Sequence, residues 1–296
     1  MLRPRLRIPR ATRLWRQPIS FRQIHSAPTL GQFNPEEGVP GLLSPGGFDL
    51  AWTQYMNFII GKLNTMIAED EFEQQTPLSI VKATAREPSQ AHIFNYASMA
   101  YNNHFFFENL AKVNPGAEGE PTGEDRIPIK LRVMLTKQFS SIQTLRREFL
   151  STAMGMFGPG FVWLVKPAQS DQLRILPTYL AGTPFTAGHW RRQGVDMNTQ
   201  GPASREVVDG WMSRRQTGVG ADIGSKFLDQ SQVAPGGTDV IPLLCLNTWE
   251  HVWLRDYGIG AGDVGGKRQF VKSWWEVINW DKVEDRANLT RPEFKY

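Results

Sequence analysis

The segment Leu243–Tyr257, LLCLNTWEHVWLRDY, sets a carboxamide, a carboxylate and an imidazole within five residues, at Asn247, Glu250 and His251. They follow an apolar run that reads as the end of a buried strand, a place where enzymes set metal ligands. A hard redox-active metal ion takes oxygen and imidazole donors and needs anionic charge to hold its oxidised state. The position four residues before His251, where that chemistry wants a carboxylate, holds the neutral Asn247. A second imidazole, His104, lies in NNHFFFENL. Cys245 is the single cysteine, which excludes an internal disulfide and any multi-cysteine zinc site. Within IPLLCL it reads as a small core residue. A formal Gly-x-Gly-x-x-Gly at Gly260, Gly262 and Gly265 follows the Trp-Glu-His turn instead of a strand, so it reads as a connector and not a nucleotide site. No Gly-x-Ser-x-Gly elbow occurs, so a serine-hydrolase reading has no support.

The elements that must position these residues follow from apolar spacing. Residues 29–47 are rich in Pro and Gly and read as an extended lead-in. From Phe48 to about Asp70 apolar residues recur at three- and four-residue steps, which predicts a long helix. TPLSIVKATA predicts a short helix opened by Thr76 with Pro77 at its first position. Residues 89–112 predict an aromatic helix, and NPGAEGEPTGED breaks the chain. Residues 126–156 read as one or two helices. FVWLVKP, QLRILPTYLAG and DVIPLLCLN have the character of strands. QFVKSWWEVINWDKVEDRANL reads as one terminal helix with a Trp-rich face. Helices first and then strands among helices is an α+β order. The expected divisions are a leader at 1–28, the lead-in at 29–47, a helical hairpin at 48–114, and an α+β domain at 126–296 with an insertion at 185–238.

Charge is unevenly placed along the 296 residues. Residues 1–28 carry seven Arg and no Asp or Glu, with Leu2, Leu6, Ile8, Leu14 and Trp15 between them. That pattern reads as a mitochondrial presequence cut near RQIHSA, or else as a basic arm for nucleic acid. Without those seven of the 33 Lys and Arg, 26 basic residues face 29 acidic ones, and the balance turns from +4 to −3. A protein that coats itself in phosphates needs many cations to displace counterions, so extensive RNA binding is disfavoured. Arg191–Arg192 and Arg214–Arg215, near Trp190 and Trp211, leave a local RNA or protein contact open in the insertion. No apolar run reaches the roughly 18–20 residues that cross a bilayer, which speaks against a membrane span.

Four segments, taken in order, resemble the iron/manganese superoxide dismutases. They are FIIGKLN at the end of a first helix, IFNYASMAYNNHFFFENL in a second, MGMFGPGFVWLV entering a first strand, and PLLCLNTWEHVWLRDY…SWWEVINWDKV. The resemblance implies a helical hairpin followed by an α+β domain with a three-stranded antiparallel sheet. It also implies a metal between the two, held by three His and one Asp. Carried over by position, two ligands fall on His104 and His251, while the others fall on Ala51 and Asn247. The Gln beside metal-bound solvent falls on Ala100 or Phe157, and the Tyr that gates substrate falls on Ile59. Glu250 and His251 retain the pair that meets across the family's dimer interface, whose other His and Tyr correspond to Tyr55 and Leu254.

A dismutase-like chain with a leader and these losses is similar to the dismutase-like proteins of the fungal mitochondrial small ribosomal subunit, which occur as a related pair. That resemblance implies no enzyme activity and no cofactor. It implies a matrix location, ribosomal protein neighbours and a pseudo-symmetric contact with a related chain. The near-neutral charge without the leader suggests a peripheral position held by protein contacts, with the insertion and the lead-in as anchors. A working matrix dismutase with unusual ligands, or a free-standing matrix binding protein, are the competing readings.

Overall fold

Met56, Ile59, Ile60 and Leu63 fall on one side of a helix at three- and four-residue steps, and all four are buried. The computed structural model describes residues 25–85, 87–113, 123–168, 170–185, 240–260 and 264–287. Helix α1, Pro45–Phe48, opens on Ser44, whose Oγ accepts from the Gly47 amide at 3.0 Å, and Pro45 supplies the preset φ of a first turn. It continues through a π-helical segment, Asp49–Gln54, into α2, Tyr55–Met66. Helix α3, Pro77–Thr84, is capped by Thr76 as its Thr-Pro sequence predicts. Helix α4, Ala91–Glu108, buries Phe94, Phe105, Phe106 and Phe107.

The block at 126–156 forms two helices, α5, Ile129–Phe139, and α6, Ile142–Gly155. They part at Ser140, which takes a positive φ of 67°, and Ser141 caps the second through its Oγ. Strands β1, Gly160–Pro167, β2, Arg174–Tyr179, and β3, Val240–Asn247, form one antiparallel sheet in the order β2-β1-β3. Trp163 at the centre of β1 pairs with Leu176 on one side and Cys245 on the other. Its indole N–H donates to the Thr178 hydroxyl at 3.0 Å, which lets a fully buried Trp keep its polar atom paired. Helix α7, Glu250–Tyr257, follows β3 directly, then come α8, Gly266–Glu276, and α9, Trp280–Arg286. This is the expected α+β architecture.

Two expectations need correction. The lead-in at 29–47 is not extended but a string of tight turns with a bridge between Val39 and Leu43. Gly38 sits there at φ +71°, where a Cβ would lie 2.5 Å from the Leu43 carbonyl oxygen. Leu30, Phe33, Val39, Leu42 and Leu43 are buried, so those side chains hold their own fold together and are not available to anchor a neighbour. The terminal helix is two helices. The chain breaks at 277–279, where Ala111 N–H donates to the Val277 carbonyl and Asn279 N–H to the Asn109 carbonyl, each at 2.8 Å. Asn279 then caps α9.

One buried cluster runs from Leu30 through Ala51, Met99 and Trp163 to Ala287, so both halves contribute to a common core. A smaller cluster under α2, α3 and α4 includes Leu63, Ile80, Val81 and Phe94. Asp256 on α7 reaches back to the start of α1, accepting from Ser44 N at 2.8 Å and Ser44 Oγ at 2.6 Å. A Cβ on Gly47 would lie 2.1 Å from that carboxylate. The contact therefore requires glycine at that position.

Candidate functional site

Three elements converge where the π-helical segment, the middle of α4 and the end of β3 meet. Asn247 closes β3 with its side chain fully buried. Its Oδ1 accepts from the Trp249 amide at 2.9 Å, a local turn that directs the chain into α7. Its Nδ2 donates to Asn103 Oδ1 at 3.0 Å. Asn103, also fully buried, donates in turn to the Ala51 carbonyl oxygen at 3.2 Å. The result is a chain of carboxamides linking β3, α4 and the π-helical segment. No charge is needed anywhere along it.

His251 lies in the first turn of α7, four residues after Asn247. Its ring stacks on Tyr55 with centroids 3.8 Å apart and planes at 21°, and Trp249 lies at 5.7 Å. Its Nε2 is buried without a hydrogen-bond partner. Burial pulls the imidazole pKa down to about 4, so the ring is neutral at physiological pH. Burial also raises the Tyr55 hydroxyl far above its usual range, and Tyr96 adds to the effect. Because the unfolded chain binds a proton near pH 6.5 and the folded one does not until about pH 4, stability holds above 6.5 and falls below it. The loss reaches about 3 kcal/mol by pH 4. Urea unfolding of His251→Phe across that range is expected to show this slope removed.

His104 is not part of this centre. Consecutive helical residues point about 100° apart, and it is Asn103, in line with buried Met99 and Phe107 four residues either way, that faces β3. His104 lies instead against Trp52, with centroids 5.9 Å apart. Burial lowers its pKa, with Glu108 opposing and Lys282 and Arg286 reinforcing the shift. The structure thus brings Asn103, and not His104, to Asn247 and Ala51. The signal was the double amide Asn102–Asn103 on a line of buried apolar residues.

Ala51 and Ala100 are buried and contribute no side-chain donor, and Ile59 is buried as well. Phe157 is 97% exposed and does not turn inward. Iron or manganese would meet Ala51, two carboxamides already bonded to protein groups, and one neutral imidazole. That donor set does not fit the ion, since no anionic ligand is present to balance its charge. Among the described residues no three His, Cys, Asp or Glu side chains gather closely enough to hold a metal.

Glu250 opens α7, and its charge favours the protonated form of Lys267 against the burial that lowers that pKa. Phe58, Tyr179, Leu180 and Leu254 are exposed. Phe58 contacts Tyr96, and Trp249 Nε1 donates to the Leu180 carbonyl. Phe58 and Leu254 each lie three residues along the helix from Tyr55 and His251, and so on the neighbouring turn of the same face. Trp190, Arg191, Arg192, Trp211, Arg214 and Arg215 lie outside the described residues.

Arg286 was missed from sequence. It donates to Glu108 Oε2 at 2.9 Å, to Asn109 Oδ1 and to the Leu243 carbonyl, and lies 4.0 Å from the Phe105 ring centroid. Lys282 adds a second cation to Glu108 at 3.0 Å. Burial alone would raise the Glu108 pKa, but these partners outweigh it and hold the carboxyl below its ordinary value. The cluster fastens α9 to α4 and β3.

Residues 128–196 and 206–286 match the C-terminal domain of the iron/manganese superoxide dismutases. Small ribosomal subunit protein mS43 of Schizosaccharomyces pombe is 25% identical over 262 residues, covering 88% of this chain and 84% of that protein. Small ribosomal subunit protein mS42 of the same organism is 26% identical over 239 residues, covering 81% and 86%. An iron superoxide dismutase of Salmonella typhimurium is 26% identical over 224 residues, covering 76% and 79%. With half of the chain matched, including most of 185–238, and with the helices, antiparallel sheet and Trp-Glu-His turn in the order the resemblance implies, this protein belongs to the iron/manganese superoxide dismutase family.

Proposed function

We propose that this chain is a structural component of the mitochondrial small ribosomal subunit, a dismutase-like scaffold that has lost its metal ligands and catalyses no reaction. The carrying observation is the buried chain Asn247–Asn103–Ala51. It satisfies with neutral hydrogen bonds the three elements that a metal would otherwise join. Similarity to mS43 and mS42 over more than four fifths of the chain supports the assembly. The arginine-rich, acid-free leader supports import into the matrix.

Two similar ribosomal relatives also favour a related chain as the partner, in a pseudo-two-fold contact through Glu250, His251 and Tyr55. The exposed Phe58 and Leu254, one helical turn from Tyr55 and His251, support this reading, because exposed aromatic and apolar side chains suit a protein interface. Leu254 and Tyr55 differ from the pair expected of a self-pairing dismutase, which favours a non-identical partner. Contact with ribosomal RNA is proposed only for the Arg pairs of the insertion. No described helix is long and apolar enough to cross a membrane.

In a sucrose gradient of mitochondrial lysate the tagged chain is expected to sediment with small-subunit particles. Recovery only in particle-free fractions would reject the assignment and favour a free-standing matrix protein. The working-dismutase alternative draws on the unpartnered His251 Nε2 and the Salmonella relative. It requires stoichiometric iron or manganese.

A further inference from the structure

The leader expected at 1–28 overlaps residues that the fold uses. Main-chain N–H of His25 donates to Asn64 Oδ1 at 3.1 Å, and Asn64 Nδ2 donates to the His25 carbonyl at 2.8 Å. One side chain on α2 thus satisfies both main-chain polar groups of His25, as a neighbouring strand would. Ala27 packs against the main core, and Leu30 and Phe33 are buried within it. A cut at 28 would remove the clasp and leave Asn64 without either partner.

The chemistry of the leader sets the other limit. All seven arginines of the segment lie at or before Arg22, and only Gln23 and Ile24 separate the last of them from His25. A leader read by its cationic, acid-free character is complete at Arg22. We propose that processing hydrolyses one of three peptide bonds, Arg22–Gln23, Gln23–Ile24 or Ile24–His25, and that the Asn64 clasp then protects the new end. Water adds across the bond, leaving a carboxylate on the leader and an α-ammonium group on the mature chain. The substrate class is an arginine-rich, acid-free peptide, and the agent is an endopeptidase of the matrix. This inference rests on the mitochondrial reading above.

Intact mass and N-terminal sequencing of the protein isolated from mitochondria test it. The first residue is expected to be Gln23, Ile24 or His25. A mature chain starting at Ser26 or later, or retaining Arg22, would overturn the cut. A full-length chain found only outside mitochondria would overturn the mitochondrial reading itself. Aminopeptidase digestion of the mature Asn64→Ala protein is expected to remove residues beyond His25 about 10-fold faster than in the parent, because loss of two hydrogen bonds raises the open fraction of the terminus. An unchanged rate, with folding confirmed by circular dichroism, would show that the clasp does not guard this end.

Discussion

Asn247→Asp, which supplies the carboxylate that the family resemblance implies at this position, is expected to destabilise the protein by about 3 kcal/mol at pH 7. The new carboxylate keeps the Trp249 amide on one oxygen, but its other oxygen faces Asn103 Oδ1 at a 3.0 Å contact that now lacks a proton. Turning the Asn103 amide over supplies a donor and strips the Ala51 carbonyl of its own. Either arrangement leaves a buried acceptor unsatisfied. The penalty is pH-dependent in a defined sense. The folded state raises this carboxyl pKa above the unfolded value of about 3.9, so the penalty is complete above the folded pKa and fades as acid supplies the missing proton. Denaturant titration of variant and parent side by side from pH 7 to pH 4 reads it as their difference, since the His251 loss is common to both. An Asp variant as stable as the parent at pH 7, with stability rising on added manganese, would mean that the site still welcomes a cation.

Arg286→Ala is expected to cost about 2 kcal/mol, below the range for breaking a fully buried ion pair. Glu108 retains Lys282, and at 38% side-chain exposure it is partly solvated. The guanidinium also covers the Phe105 ring and meets Asn109 and the Leu243 carbonyl, so its removal leaves two acceptors short and an aromatic face bare. Thermal unfolding of the variant is expected to lie well below the parent. The conservative Arg286→Lys should recover only part of the loss, because an ammonium cannot span three acceptors in one plane. Full recovery by lysine would show that charge alone fastens α9.

Elements whose apolar period was unbroken were legible from sequence. The α2 stripe, the Thr76-Pro77 start of α3 and the three strands follow from local spacing and capping. The rest depended on contacts distant in sequence. Residues 29–47 look like linker because Pro and Gly dominate, yet the five apolar side chains between them meet a core built mostly from later residues. The break before α9 has no Pro or Gly to announce it. It is imposed by main-chain bonds from 277–279 to 109–111. At the site, His104 drew attention by residue type, whereas position is set by helical phase, and a one-residue shift moves a side chain to another face. Asn103, chemically quieter, is the residue that bonds Asn247 and Ala51.

The metal content of the folded protein, measured by mass spectrometry after expression with iron and manganese in excess, is the most direct test of a centre closed by carboxamides. Far less than one ion per chain, on the order of a tenth or below, is expected for a set with a single free imidazole and no anionic donor. A stoichiometric ion that is lost together with stability when His251 is replaced by Ala would contradict the account.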